Sequence, residues 1–342
     1  MSKQPGKKIS DSAKRTSHLS RREMIRNSAG FSAAMMAGLA LPGSLKAKET
    51  APGERGDSYG DLELPAIRND RIKQVVVSWP FMAFGEQWSL DQLCRSAVEL
   101  GCHGIELVGP EEWPTMQKYD LTCALSTNGM PDPPFEKGLN NPAYQEEVMG
   151  RTIQRIEECA AAGVPSVIAF TGFEYIDVND PSKGVIPPDE GAENTVTALK
   201  ELARHGERHG VTICMEHLNS RVEGDDDRGH PGYQGDHIDY CADIIRRVGS
   251  PRVKLLFDIY HVQIMNGDII ARIREYGDDL IGHIHTAGVP GRIEMDRSQE
   301  LNYPAIMEAL LEIGYKGYVG HEFIPTRNPM DGLRHAVDLC DV

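Results

Sequence analysis

The chain has no C-x-x-C pair, no G-x-G-x-x-G turn after its first apolar run, and no apolar stretch long enough to span a bilayer. Each absence removes a class. Seven cysteines, Cys94, Cys102, Cys123, Cys159, Cys214, Cys241 and Cys340, sit mostly inside apolar segments. Without close pairing they read as buried thiols of a chain folded under reducing conditions, not as a disulfide framework. The missing glycine fingerprint argues against a dinucleotide-binding Rossmann sheet.

Positive charge is also scarce, except at the start. The first 47 residues hold nine Lys or Arg against Asp11 and Glu23, a net +7, so the remaining 295 residues carry −22 of the chain's total of −15. Such a surface disfavours nucleic acid and anionic membranes. Within the basic segment, Ser20-Arg21-Arg22-Glu23-Met24-Ile25 precedes an apolar stretch from Ala29 to Leu41, then Pro42 and a candidate cleavage point after Ala47. This resembles a twin-arginine export signal, which carries already folded proteins and implies a periplasmic or other extracytoplasmic destination. Leu45, larger than usual for the position three residues before the cut, leaves a membrane anchor or a basic tail as the other readings. Residues 48–70, rich in Gly, Pro, Glu and Asp, read as a linker.

From residue 71 onward a regular beat begins. Five amphipathic segments end at Gly101, Gly163, Gly210, Gly249 and Gly314, each followed within a few residues by an apolar run. Glycine just past a helix supplies a left-handed cap, and the run after it is a strand. Ser89-Leu90-Asp91-Gln92 is a capping box that opens the first helix, and Pro304 sits early in the last. Eight strands are expected: 75–79, 104–108, 121–126, 166–171, 211–216, 253–258, 281–286 and 317–322. Eight parallel strands with helices between them predict a single-domain α/β fold, a (β/α)8 TIM barrel over 71–342, with its chemistry at the C-terminal strand ends. The long loops 128–142, 172–189 and 220–235 lie on that face and can wall in a small ligand.

Four of those strand ends carry acids or imidazoles: Glu216, Asp258 with His261, His283 with His285, and Glu322. A charged residue closing a strand buried on both faces is costly without a partner, and one divalent cation can serve several at once. Three carboxylates and a neutral imidazole form a mostly oxygen cage of charge −3, suited to hard or borderline divalent ions.

The stretches Met215-Glu216-His217-Leu218-Asn219, Pro231-Gly232-Tyr233, Phe257-Asp258-Ile259-Tyr260-His261-Val262-Gln263-Ile264-Met265, Gly282-His283-Ile284-His285, Val289-Pro290-Gly291-Arg292, Glu300-Leu301-Asn302-Tyr303 and Gly320-His321-Glu322 resemble the hydroxypyruvate isomerases. These belong to the xylose-isomerase-like barrel superfamily, with ketose 3-epimerases, inosose dehydratases and endonuclease IV. The match is dense over 211–326 and looser over 73–210.

The resemblance implies metal ligands at Glu216, Asp258, His285 and Glu322, with Mg²⁺ or Mn²⁺ as the ion. It implies that Glu216 and Glu322 also move the proton, and that an aldose–ketose isomerisation passes through an enediolate. His261 and Arg292 are then substrate-binding candidates, and Glu106 orients a ligand or a catalytic histidine. His283 and His285 point the same way along their strand, and the resemblance favours His285. For Arg292 a surface salt bridge is the other reading. His217 and His321 read as structural. Trp79, Phe81, Phe84, Trp88 and Trp113 either shape the pocket or pack the core. Many hydroxypyruvate isomerases have glutamine where this chain has His285, and the acidic run 223–228 interrupts a βα loop, so a ketose 3-epimerase stays open, as does an exported sugar-binding protein with a relict site. Endonuclease IV needs more histidine ligands and a basic surface. Partners are expected to be a small hydroxy-keto acid or sugar and further copies of the chain as a homo-oligomer.

Overall fold

Eight strands alternate with helices along the chain. In the computed structural model, which describes residues 66–224 and 227–342, they are β1 (Lys73–Val77), β2 (Gly104–Glu106), β3 (Thr122–Cys123), β4 (Ser166–Phe170), β5 (Thr212–Glu216), β6 (Val253–Asp258), β7 (Ile281–Thr286) and β8 (Tyr318–His321). The helices are α1 (Ser78–Ala83), α2 (Leu90–Leu100), α3 (Trp113–Gln117), α4 (Pro142–Ala162), α5 (Pro188–His209), α6 (Ile238–Val248), α7 (Ile259–Met265), α8 (Ile269–Leu280), α9 (Tyr303–Glu312) and α10 (Pro329–Cys340). The export signal, residues 48–65 of the linker, and Asp225 and Asp226 of the acidic loop lie outside the described residues. All described residues fall in one compact unit, Asp61–Val342. Among them no helix is long and apolar enough to cross a membrane.

Every strand pair is parallel, in the order β3-β2-β1-β8-β7-β6-β5-β4. One residue joins the two ends of that row. Ser126, just past β3, bridges to Val108 on one side and Val167 on the other, its amide donating to the Ser166 carbonyl at 2.9 Å and its carbonyl accepting from Ile168 at 3.0 Å. The expected eight-stranded α/β barrel is therefore what the chain forms.

Three expected strands differ most: β1 keeps five residues but starts two earlier, β2 stops at Glu106, and β3 is reduced to two residues. Pro304, expected in the last helix, opens the last but one, because α10 follows it. The strand expected over 75–79 gives way at Ser78 to α1, because Pro80 falls in a first helical turn, where its missing N–H costs nothing. Only Thr122 and Cys123 form regular pairs in the third strand, although the chain continues through fully buried Ala124 and Leu125. The glycine caps are as expected: Gly101, Gly163, Gly210 and Gly249 close helices at φ of 83°, 75°, 73° and 72°, and Gly314 follows α9 at 78°. The Ser89–Gln92 capping box is formed in both directions.

Side-chain alternation sorts the barrel into two apolar regions. Val167, Ala169, Ile213, Met215, Leu255, Phe257, Ile284 and Val319 pack outward with the helices. Ile168, Phe170, Cys214 and Leu256 form a small cluster with Leu125, Leu218 and Tyr233 on the opposite, inner face. The period of two then dictates the rest: Glu106, Glu216, Asp258, His283, His285 and Glu322 share the inner face. All six are at most 4% exposed. The seven cysteines are free and buried, and burial pushes the Cys102 and Cys214 thiols up to about 12, as inert core groups require. Ala66 and Ile67 join the core, while the amides of Arg68 and Asn69 bond to the Asp341 carboxylate at 2.7 and 2.8 Å, so the end of the 48–70 segment is docked on the C-terminal helix.

Candidate functional site

Adjacent strands carry the acidic and imidazole groups to one point. Asp258 is in register with His285, and His285 with Gly320, so Asp258, His285 and Glu322 leave neighbouring strands about 4.8 Å apart. Glu216 closes β5, whose tip is fixed by Tyr233: its hydroxyl donates to the Glu216 carbonyl at 2.8 Å and accepts from the Thr171 amide at 2.9 Å. One ligand atom from each of Glu216, Asp258, His285 and Glu322 lies within 4.8 Å of all the others.

The fit to a cation rests on how these atoms are left. Glu216 Oε1 and His285 Nδ1 are buried without a hydrogen-bond partner, although His285 Nδ1 lies 2.9 Å from Glu322 Oε2 and 3.5 Å from Glu216 Oε1. Buried ligand atoms this close, brought from four strand ends, are placed to share one centre. Three carboxylate oxygens and one imidazole nitrogen make a donor set for a hard or borderline divalent ion.

Each ligand is also held from behind. Asp258 caps α7 with Oδ1, accepting from Tyr260 N at 2.7 Å and His261 N at 3.3 Å, which turns Oδ2 toward the site. Glu106 on β2 lies with Oε1 2.9 Å from His285 Nε2 and Oε2 2.7 Å from His283 Nε2. His285 thus presents Nδ1 to the acidic cluster and Nε2 to Glu106, while His283 sits one layer deeper. Trp79 donates its indole N–H to Glu322 Oε1 at 2.8 Å.

Arg292 is buried, 3% exposed, so it makes no surface salt bridge. Its Nη2 is 2.6 Å from Glu322 Oε2 and 3.4 Å from Asp258 Oδ2, and its guanidinium lies 5.1 Å from the Trp79 ring and 5.5 Å from that of Tyr260. His261 has a defined tautomer. Its Nδ1 lies 3.1 Å from the donating Asn219 amide and 2.7 Å from Asn219 Nδ2, so Nδ1 is an acceptor and the proton sits on Nε2, 3.5 Å from Asp258 Oδ2. Burial, reinforced by Arg292, holds His261 well below the usual imidazole range and hence neutral.

The charges of the cluster divide. Burial raises Glu216, and it raises Asp258 to about 7 despite Arg292. Burial also opposes ionisation of Glu322, but Arg292, His285 and Trp79 outweigh it and hold that carboxyl well below its ordinary range. His285, disfavoured as a cation by burial, is lifted well above its ordinary value by Glu322, Glu106 and Glu216. An ion bound among these groups would favour the ionised form of every carboxyl that ligates it.

A family model for the xylose isomerase-like TIM barrel matches residues 94–341. The chain belongs to that family. A 2-oxo-tetronate isomerase of Cupriavidus necator is 30% identical over 258 residues, covering 74% of this chain and 93% of that protein. A human relative, provisionally named hydroxypyruvate isomerase, is 38% identical over 119 residues, 35% of this chain and 40% of its own length. The crystal structure of an AP endonuclease, family 2, from Brucella melitensis superposes with a TM-score of 0.64 at 25% identity, covering 77% of this chain and 97% of that one. With isomerases among its relatives over nearly their whole length, this family member is an isomerase-type enzyme.

All seven residues expected in the site are brought together at or just beneath it. The histidines read as structural are elsewhere: His321 bonds outward to Gln74 and Thr286, and His217, adjacent to Glu216, turns to the outer face beside Phe257. Of the aromatic residues, Phe81, Trp88 and Trp113 are core and Trp79 reaches the site. Sequence reasoning missed His230. It is 6% exposed, packs 4.4 Å from the Phe135 ring and 5.7 Å from that of His261, and its Nε2 has no partner. Its signal was the turn Gly229-His230-Pro231-Gly232, one residue before the stretch that carried the resemblance.

Proposed function

We propose that this enzyme is a metal-dependent isomerase that interconverts an α-hydroxycarbonyl compound through an enediolate, acting on a short 2-oxo acid of the hydroxypyruvate or 2-oxo-tetronate kind. The observation that carries the reading is the convergence of Glu216, Asp258, His285 and Glu322 at the C-terminal strand ends, one ligand atom of each within 4.8 Å of the others, with Glu216 and Glu322 on opposite sides of His285. Glu216, Asp258, His285 and Glu322 would hold the ion, Mg²⁺ or Mn²⁺, which when bound supplies Lewis-acid stabilisation of a developing oxyanion.

For hydroxypyruvate the reaction moves one proton from C3 to C2 and the hydroxyl proton from O3 to O2, giving tartronate semialdehyde with no net change in atoms or electrons. One of Glu216 and Glu322 removes the carbon-bound proton and the two between them return it to the neighbouring carbon. His261, locked as an Nε2–H donor, and Arg292 present N–H groups to substrate oxygens, and the Arg292 charge suits a carboxylate. His230 and Phe135 wall the pocket. Glu106 holds the His285 ring in the tautomer that leaves Nδ1 free.

The decisive experiment incubates Mn²⁺-loaded protein with hydroxypyruvate, 2-oxo-tetronate and a panel of ketoses in D₂O. Deuterium beside the carbonyl, with an aldehyde product from hydroxypyruvate or a 3-oxo acid from 2-oxo-tetronate, supports the isomerase, whereas C3 inversion of a ketose would make it a 3-epimerase. Glu216→Gln and Glu322→Gln should each abolish turnover, and chelation should do so reversibly. Full activity after thorough metal removal would sink the mechanism. We also propose export by the twin-arginine pathway, tested by fractionation and by sequencing the mature N-terminus, with a start at Lys48 expected.

A further inference from the structure

At the other end of the barrel wall, α4 and α5 bring together three polar side chains that share no role with the site above. His205 and His209 are four residues apart in the last turns of α5, so they lie on one helix face. Glu157 projects from α4, the helix alongside. One ligand atom from each lies within 4.8 Å of the other two. The C-terminus of α5 leads into the start of β5, whereas Glu216 is at the far end of that strand, so this cluster lies toward the opposite end of the barrel from Glu216.

The surroundings isolate these three groups. Glu158 is taken by Arg155, at 3.0 Å, and by Gln154, and Glu207 by Ser250. Glu157, His205 and His209 make no ion pair or hydrogen bond through their side chains among the described residues. The His205 Nδ1 is moreover buried, with no partner. An orphaned imidazole nitrogen beside a second imidazole and a free carboxylate is a group awaiting a ligand. The negative end of the α5 dipole adds a mild preference for a cation there.

We propose that Glu157, His205 and His209 bind one zinc-class divalent ion, clipping α4 to α5. Two imidazole nitrogens and one carboxylate select Zn²⁺ over Mg²⁺. Three protein ligands leave the coordination open to water. The site is independent of the isomerase reading, since it shares no residue with the barrel-top cluster.

The test counts Zn²⁺ retained by the metal-stripped full-length protein after equilibration and gel filtration. Glu216→Gln/Glu322→Gln, which disables the barrel-top cluster, should keep one equivalent, and adding His205→Ala/His209→Ala should remove it. Zn²⁺ should raise the melting temperature of the first variant by several degrees and that of the second by none. Because the double histidine change could itself perturb folding, Glu157→Gln and His209→Ala, both at the surface, are measured alone and should each weaken Zn²⁺ binding at least tenfold. Zn²⁺ stoichiometry and affinity unchanged by these substitutions would overturn the proposal.

Discussion

Gly320→Ala is the most informative single change, because it strikes the site without replacing any proposed ligand. Gly320 lies on the inner face of β8, where a Cβ would overlap the Glu106 carboxylate, falling 2.9 Å from its Cδ and 3.1 Å from His285 Cδ2. Neither neighbour is at the loose end of an exposed chain: Glu106 and His285 are 0% exposed. Overpacking of this kind costs about 1–3 kcal/mol. Displacing Glu106 also frees the His285 ring, and disturbing such supporting groups typically lowers metal affinity or activity roughly 10–100-fold. The expected result is a fall of a few degrees in melting temperature and a loss of Mn²⁺ affinity and kcat in that range, by calorimetric titration and steady-state kinetics. Gly150→Ala is the internal control. It lies exposed within α4 with nothing within 4 Å of the added methyl, so it should stabilise by about 0.5–1 kcal/mol and leave activity alone. A Gly320→Ala protein with wild-type melting and Mn²⁺ affinity would refute the claim that Glu106 sets His285.

Other changes test separate links. Trp79→Phe replaces the indole by a smaller ring and removes the N–H that donates to Glu322, a charge-assisted bond of about 1.5–3 kcal/mol, so kcat should fall at least tenfold and the melting temperature by several degrees. Asn219→Leu takes away one of two donors on His261 Nδ1; the ring nitrogen shifts in NMR should show mixed tautomers, with KM rising and Mn²⁺ binding retained, whereas a single unchanged tautomer would contradict the assignment. Acid should unfold the protein through its buried neutral histidines. Burial lowers His217 and His230 to about 3 and His321 to about 4, from 6.5. The unfolded chain therefore takes protons first, and the stability contributed by these groups, complete above pH 6.5, is lost as pH falls from there toward 4. The slope is on the order of 1 kcal/mol per histidine per pH unit near pH 5, and the raised Asp258 carboxyl works against it, so the test compares wild type with His217→Gln; a stability difference between the two that stays constant from pH 7 to 5 would be inconsistent with it.

Much of the barrel was legible in one dimension. The glycines at 101, 163, 210, 249 and 314 require a left-handed backbone at helix ends whatever surrounds them, and a period of two puts Glu216 on the face opposite Met215 and His217. Those are local constraints, so they survive in the sequence. The position of β1 and the length of β3 were not legible, the first because Pro80 reads equally as a strand end or a helix start until the chain beyond it packs. Nor was the closure at Ser126, a hydroxyl residue with no local signal, which joins β3 to β4 only because the curled sheet brings its two ends together.

By itself, then, the sequence determined the fold class and which residue types reach the barrel top, because helix caps and strand alternation are properties of neighbouring residues. Tertiary structure decided everything that depends on distance across the barrel. It buried Arg292 against Glu322, set His285 between Glu106 and the Glu216–Glu322 pair, fixed the His261 tautomer through Asn219, and packed His230 against Phe135 beside His261. These are pairings between groups tens of residues apart, whose energies arise only once burial has removed water from between them.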